Sequence, residues 1–295
     1  MTMRLDRCEL CPRRCLADRT RGERGFCGAG DAIRIARAAP HFWEEPCISG
    51  KRGSGTVFFS HCTLGCVYCQ NDGISHGGAG RDITPERLRE IYFELIEKGV
   101  HNINLVTPTH FLPLILPTLA ELPVPVVMNC GGYERVETLR ELRGRVGIYL
   151  PDFKYALPET AETYSMAGDY PERALEAVEE MIAQVGKPRF DGDGMMTSGV
   201  IVRHMILPNE IRNSLRVLEL LASSFPKDSF LLSLMSQYTP AGRGKEIRRI
   251  SRRITPSEYG RVLRKMEELG FEAGYTQELS SAKEEYVPPF DGTGV

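Results

Sequence analysis

The chain has 295 residues, of which 42% are hydrophobic and 26% are charged. This is the composition of a globular protein with a sizeable core, and it excludes an intrinsically disordered chain. The 37 basic and 39 acidic side chains give a net charge of −2, so no overall charge bias indicates nucleic acid or an anionic membrane as a partner.

Neither a secretory signal nor a membrane span is expected. The N-terminus has no apolar stretch, and the most apolar run, 112–128, contains four prolines that prevent one continuous helix. We therefore expect a cytoplasmic protein with no membrane partner. In a reducing compartment, nine cysteines favour metal binding or catalysis over disulfides.

The first 50 residues are rich in Cys and Arg and show little hydrophobic periodicity, which favours a small segment held together by metal. Four of its cysteines predict a second metal site: Cys8, Cys11, Cys15 and Cys27. Cys47 is a candidate substitute ligand. The spacing leaves open whether the metal is zinc, which would serve a structural role, or an auxiliary iron–sulfur cluster, which could relay electrons.

From residue 51 to residue 280, short apolar runs alternate with amphipathic stretches. The predicted strands are 56–59, 103–107, 124–129, 146–150, 199–207 and 230–234, and the predicted helices are 84–98, 111–121, 133–143, 171–185, 209–224 and 255–269. This alternation predicts an α/β fold with a parallel sheet. About six strands fit an open doubly wound sheet or a partial barrel, and periodicity does not separate the two. Residues 281–295 form a polar tail.

Three cysteines follow the first predicted strand, in the sequence CTLGCVYC. Cys62, Cys66 and Cys69 lie on one loop and can bind three corners of a [4Fe–4S] cluster, because thiolates are the usual ligands of such clusters. The fourth iron then has no protein ligand nearby, and a catalytic metal centre needs such an open position. A zinc site and buried free thiols are the less favoured interpretations, and zinc sites usually pair two C-x2-C halves.

This motif, C-x3-C-x-aromatic-C with Tyr68 at the aromatic position, resembles the signature of the radical S-adenosylmethionine (SAM) superfamily. The resemblance implies a partial (β/α)6 barrel, a [4Fe–4S] cluster that chelates the methionine part of SAM, and reductive cleavage of SAM to a 5′-deoxyadenosyl radical. The runs CQN, NINLVTPTH, NCGGYE, YLPDFKY and RHMILP resemble the pyruvate formate-lyase activating enzyme-like branch. That branch implies a glycyl radical enzyme as partner and flavodoxin or ferredoxin as electron donor.

Polar residues follow the predicted strands, where a parallel barrel binds its ligands. Thr107 and Thr109 stand where many superfamily members carry a Gly-Gly-Glu run that binds the methionine amine, and they offer oxygens without the acidic charge. Asn129 is a further candidate for a hydrogen bond to SAM. Its neighbour Cys130 is interpreted as a small buried thiol.

Two later strands end in charged residues that complete the predicted site. Asp152 and Lys154 share one face of an extended strand, and the resemblance implies that Lys154 contacts the carboxylate or ribose of SAM. Arg203 interrupts an apolar strand and is expected to bind the methionine carboxylate, whereas His204 is expected to be an interior histidine with satisfied hydrogen bonds. The last predicted strand is followed by two candidates for adenine or ribose contacts, Gln237 and Tyr238.

The run 243–265 carries nine Lys or Arg residues and two Glu. It is interpreted as a solvated loop and helix, with a docking patch for RNA or an acidic protein as the alternative. Three functions stay open: hydrogen abstraction from a glycine of a partner protein, radical modification of RNA or a small molecule, and a non-enzymatic iron–sulfur or zinc protein.

Overall fold

The computed structural model describes residues 3–281 and 288–295. Within these residues, ten strands form one sheet: β1 (Ile33–His41), β2 (Ser54–Phe59), β3 (Arg81–Ile83), β4 (Ile103–Val106), β5 (Val126–Cys130), β6 (Ile148–Pro151), β7 (Arg189–Phe190), β8 (Met196–Met205), β9 (Leu231–Met235) and β10 (Gly274–Thr276). The strand order is β10-β9-β8-β6-β5-β4-β2-β1-β3, with β7 paired to β8.

All neighbouring pairs from β2 to β10 along this order are parallel, and β1 pairs antiparallel with both β2 and β3. The sheet is open, with β10 and β3 at its edges, so the expected α/β fold with a partial barrel is confirmed. The six predicted strands correspond to β2, β4, β5, β6, β8 and β9.

The helices connect these strands. They are α1 (Pro46–Ser49), α2 (Asp72–Ser75), α3 (Pro85–Glu97), α4 (Leu112–Ile115), α5 (Val136–Arg140), α6 (Pro158–Ser165), α7 (Tyr170–Val185), α8 (Ile211–Ser224) and α9 (Pro256–Glu268). Capping chemistry explains where two of them begin: Thr84 accepts a hydrogen bond from Arg87 N, and Thr255 forms a capping box with Glu258. The predicted helix 111–121 is instead α4 followed by a 3₁₀ turn, because Pro113 and Pro117 remove backbone donors.

Strand β1 was not anticipated, since its sequence IRIARAAPH lies in the segment without clear periodicity. It pairs with β2, with Ala39 opposite Thr56, and so joins residues 33–41 to the main sheet. The chain then turns into the lumen of the curved sheet. There Cys47 and Ile48 pack among apolar side chains of β5, β6, β8 and β9. The segment 43–49 therefore closes the lumen from the end opposite to the cysteine loop.

Part of the predicted polar tail also packs on the sheet. Ala38 N donates to Thr293 O at 2.8 Å, and the rings of Phe58 and Phe290 lie 5.4 Å apart. The tail residues 282–287 lie outside the described residues.

Throughout residues 3–281 and 288–295, no helix is both long enough and apolar enough to cross a membrane.

Candidate functional site

A cavity of about 470 Å³ opens at the C-terminal ends of the parallel strands. Each parallel strand contributes residues to its wall, either from its last positions or from the loop that follows it. Ten of the predicted site residues line this cavity: Cys62, Cys66, Tyr68, Cys69, Thr107, Asn129, Asp152, Lys154, Arg203 and Gln237. The structure therefore brings together residues that are up to 175 positions apart in the sequence (237 − 62 = 175).

The cysteine loop leaves β2 and places its three thiols on one wall of the cavity. Each sulfur accepts a hydrogen bond: Cys62 from Leu64 N (3.4 Å), Cys66 from Ser165 Oγ (3.1 Å) and Cys69 from Ser75 Oγ (3.2 Å). Gly65 turns the loop with a φ of +74°, and a Cβ there would lie 3.0 Å from the Phe26 ring. Only glycine tolerates both the positive φ and the close approach of the ring.

The protonation chemistry of these thiols fits a metal-ligand role. Burial, together with the neighbouring thiols, raises the pKa of Cys62 to about 12 and that of Cys69 to about 11. Clustered thiolates in this place therefore need the positive charge of a metal. Among the described residues, no group of three or more Cys, His, Asp or Glu is arranged to hold a single metal ion. A cubane cluster binds each thiolate through a separate iron, and three thiols on one loop are a ligand set that such a cluster takes.

In the wall of the same cavity, Arg203 is the centre of a buried polar network. Its Nε donates to Asp152 (2.9 Å), its Nη1 to Glu44 (3.1 Å) and its Nη2 to Asn129 (2.6 Å). Burial alone would lower the pKa of Arg203, but the carboxylates of Asp152 and Glu44 raise it above its ordinary value. The guanidinium is thus engaged by three protein side chains, and its predicted contact to a methionine carboxylate stays a prediction.

Lys154 extends this network toward the cysteine loop. Its Nζ donates to Asp152 Oδ2 at 2.6 Å, and the two side chains are only 18% and 17% exposed. Burial would lower the pKa of Lys154, yet Asp152 and the nearby Cys66 raise it above its ordinary value. A stable positive charge therefore lies between a carboxylate and the thiols, in a position to hold an anionic group of a ligand.

Two glutamates of the cavity floor were missed from the sequence. Glu44 accepts hydrogen bonds from Asn104 Nδ2 and Asn129 Nδ2, both at 3.1 Å, besides that from Arg203. Glu45 is 8% exposed, and its Oε2 has no hydrogen-bond partner among the described residues. Burial raises the pKa of both carboxyls. The sequence signal for these two glutamates was the acidic pair in WEEP (43–46), which lies in the segment interpreted as binding the second metal.

Two predicted residues lie outside the cavity lining, and a third lines it with its hydroxyl bonded to another side chain. The hydroxyl of Thr109 donates to Glu134 at 2.8 Å, so Thr109 lies outside the cavity lining. Tyr238 likewise lies outside it and donates to Ile250 O at 2.7 Å. Tyr68 lines the cavity, but its hydroxyl accepts a hydrogen bond from Tyr155 (2.8 Å).

Three more of the predicted residues, Gln237, Cys130 and His204, have well-defined contacts or burial. Gln237 lines the wall and accepts a hydrogen bond from Gln277 at 2.9 Å. Cys130 is 3% exposed, and burial raises its pKa well above the ordinary value. His204 bonds to Phe153 O (2.7 Å) and Ser214 Oγ (2.9 Å), as expected for a satisfied interior histidine.

The N-terminal cysteines lie near one another. Cys8 and Cys11 are buried and Cys27 is half-buried, and the charges of Cys8 and Cys27 act on Cys11. Cys15, which is exposed, acts on Cys27 in the same way. These electrostatic contacts link the four thiols in pairs, and among the described residues no three of them are arranged to hold a single metal ion. Whether they bind zinc or a second cluster stays a prediction.

Fold and site together define an α/β partial barrel with a three-thiol metal loop at its mouth. Residues 56–192, which contain that loop, match the family model of the Radical SAM superfamily. This match and the fold support a radical SAM enzyme, and the family implies a [4Fe–4S] cluster and SAM as cofactors.

Individual proteins are also similar to this chain. The uncharacterized protein MJ0674 of Methanocaldococcus jannaschii is 29% identical over 279 residues, covering 91% of this chain and 76% of that protein. The crystal structure of Streptococcus suis SuiB has a TM-score of 0.52 at 11% identity, over 76% of this chain and 49% of that one. The structure of SuiB bound to S-adenosylmethionine has a TM-score of 0.50 at 10% identity, over 79% and 48%. This chain spans about half the length of SuiB, and the similarity to it shows the shared fold.

Proposed function

We propose that this protein cleaves SAM reductively and uses the resulting radical to abstract a hydrogen atom from an acceptor. The proposal rests on one observation: the three thiols and the Asp152–Lys154 pair line the same cavity. When bound, the cluster and SAM supply a one-electron cleavage that yields methionine and a 5′-deoxyadenosyl radical.

The side chains of this chain would bind and orient the reactants. Cys62, Cys66 and Cys69 would hold three irons, and the hydroxyls and the N–H that donate to their sulfurs would stabilise the thiolate charge. Lys154 would attract the methionine carboxylate, because its ammonium lies in the cavity wall with a raised pKa. The unpartnered oxygen of Glu45 offers an acceptor to a donor group of SAM or of the acceptor substrate.

For the acceptor, we propose a backbone glycine of a partner protein, so that the chain acts as an activase of the pyruvate formate-lyase activating enzyme type. This finer assignment rests on the resemblance of runs such as NCGGYE and YLPDFKY. The test is an acceptor scan under reducing, anaerobic conditions, which compares a glycyl radical enzyme, tRNA and small molecules. A glycyl radical signal that depends on SAM and on this protein is expected. Hydrogen abstraction from tRNA or from a small molecule instead would reject this assignment and keep the radical chemistry.

The radical chemistry itself is tested with a matched pair of cysteine variants. Both Cys66→Ala and Cys130→Ala remove a buried thiol from the same cavity, but only Cys66 belongs to the three-thiol loop. After anaerobic reconstitution, we expect Cys66→Ala to lose the four-iron content and the release of 5′-deoxyadenosine, while Cys130→Ala keeps both. Normal iron content and normal turnover in Cys66→Ala would disprove the proposed function.

A further inference from the structure

The segment 243–253 exposes a strip of positive charge. Four of its exposed cations, which we call the basic strip, are Arg243, Lys245, Arg248 and Arg253. Two other cations of the segment are neutralised, Arg249 by Glu210 (3.0 Å) and Arg252 by Glu258 (2.8 Å). Over the described part of the chain, no carboxylate lies within ion-pair distance of the basic strip. Unneutralised exposed charges attract a partner of opposite sign.

This segment packs directly behind the cysteine loop. Gly244 N donates to Val67 O at 2.8 Å, and Val67 lies between Cys66 and Cys69 in the sequence. A Cβ on Gly244 would lie 2.9 Å from Cβ of Tyr68, so glycine permits this close approach. Gly244, which stands between Arg243 and Lys245 of the strip, therefore packs directly against the backbone of the cysteine loop.

A continuous set of contacts runs through this layer to a thiol. The Ser165 hydroxyl lies 3.1 Å from Cys66 Sγ, the Tyr155 hydroxyl lies 2.7 Å from that of Ser165, and the Tyr68 and Tyr155 hydroxyls lie 2.8 Å apart. At the other end of the Tyr68 side chain, its Cα and Cβ lie against Gly244. Packed and hydrogen-bonded groups thus join the surface under the strip to the site that needs an electron.

We propose that the basic strip is the docking surface for an acidic one-electron donor protein. The inference rests on the proposed function, which consumes one electron for each SAM cleaved. The donor is oxidised by one electron, the electron passes to the group held by the three thiols, and no proton or atom is exchanged between the proteins. The strip combines the charge that would attract an acidic donor with closeness to the thiols.

The test compares two matched charge reversals in the reconstituted holoenzyme. The double variant Arg243→Glu/Arg248→Glu inverts the strip. The control Arg261→Glu/Arg264→Glu inverts two exposed cations of α9, a helix that packs against α8. Each variant is reduced either by a reduced acidic flavodoxin or by photoreduced 5-deazaflavin, a small molecule that needs no docking surface.

With flavodoxin at low salt, we expect the strip variant to be reduced at least about 10-fold more slowly than wild type, and wild type to slow as salt is added. The control should stay within about 2-fold of wild type, and all three proteins should be reduced equally by deazaflavin. Equal flavodoxin rates in wild type and strip variant would overturn the proposal. So would an unchanged flavodoxin rate with loss of tRNA binding, which would assign the strip to RNA. Absence of 5′-deoxyadenosine from deazaflavin-reduced wild type would count against the proposed function instead.

Discussion

Lys154 places a positive charge in the cavity wall, near the cysteine loop. Its ammonium is buried and bonded to Asp152, and Lys154→Met keeps most of the stem while it removes the charge. We expect SAM affinity to fall by about 1–3 kcal/mol with unchanged iron content, which calorimetric titration of the reconstituted protein measures.

Lys187→Met is the matched control for Lys154→Met. Lys187 is also paired with an aspartate, Asp228, but both side chains are exposed, at 69% and 65%. Exposed pairs contribute little, so the affinity for SAM should not change. Equal affinities in wild type and Lys154→Met would remove Lys154 from the ligand site.

Glu134 should make stability depend on pH. Burial raises its pKa to about 8, although hydrogen bonds from Thr109 and Cys130 oppose the shift. The folded protein therefore keeps a proton that the unfolded chain loses near pH 4.5. This contribution to stability is fully present below the unfolded pKa and is lost as the pH rises through about 8.

Denaturant unfolding between about pH 5.5 and 7.5 should show the free energy of unfolding falling by about 1–3 kcal/mol through Glu134, since a full proton difference contributes about 1.4 kcal/mol per pH unit. Glu134→Gln cannot titrate and should lack this part of the slope. Parallel pH profiles for wild type and Glu134→Gln would refute the assignment.

At the scale of elements, one side chain ties the N-terminal cysteine segment to the cysteine loop. Arg13 donates to the carbonyls of Thr63 (3.3 Å) and Leu64 (3.0 Å) in the loop, and to Ser165 O (2.8 Å) and Met166 O at the end of α6. Its guanidinium also lies 3.8 Å from the Phe26 ring centroid. The conformation of the loop therefore depends on a residue between two of the N-terminal cysteines.

Arg13→Met should loosen the cysteine loop, because it removes charge-assisted bonds that each contribute about 1.5–3 kcal/mol. We expect faster loss of iron to a chelator after reconstitution, with the fold retained by circular dichroism. Arg14→Met is the control, since Arg14 is exposed and pairs only with Glu9 among the described residues. Similar iron release from both variants would show that Arg13 does not support the loop.

The loop after β4 shows where element-level prediction fails. Alternation along an extended chain would direct Thr107 and Thr109 to the same side. Thr107, however, has a φ of +58°, a rare and strained conformation for a β-branched residue, and a 3₁₀ turn follows it. The chain turns away from the cavity at this point, and Thr109 meets Glu134. Such a local conformation leaves no mark in hydrophobic periodicity.

At the scale of the whole molecule, the parallel strands and the cysteine loop could be predicted because both are local patterns. Apolar runs such as INLV become strands buried on both faces, and three thiols within eight residues share one loop. The cavity floor could not be predicted. Glu44 and Glu45 reach the lumen only because β1 pairs antiparallel with β2 and the next segment folds inward, which depends on contacts distant in sequence.

The bonds to Glu44 give this floor a cooperative character. Its carboxylate takes one donor from each of three strands: Asn104 of β4, Asn129 of β5 and Arg203 of β8. If one strand opened alone, a buried carboxylate would lose a donor, so opening of any of the three strands weakens the contacts of the other two. The backbone amides of β4, β5 and β8 should therefore exchange hydrogen for deuterium as one unit with a common opening free energy. Glu44→Gln removes the charge that joins the three strands, and mass spectrometry should then resolve a separate exchange rate for each strand. Three distinct rates already in wild type would show that the strands open independently.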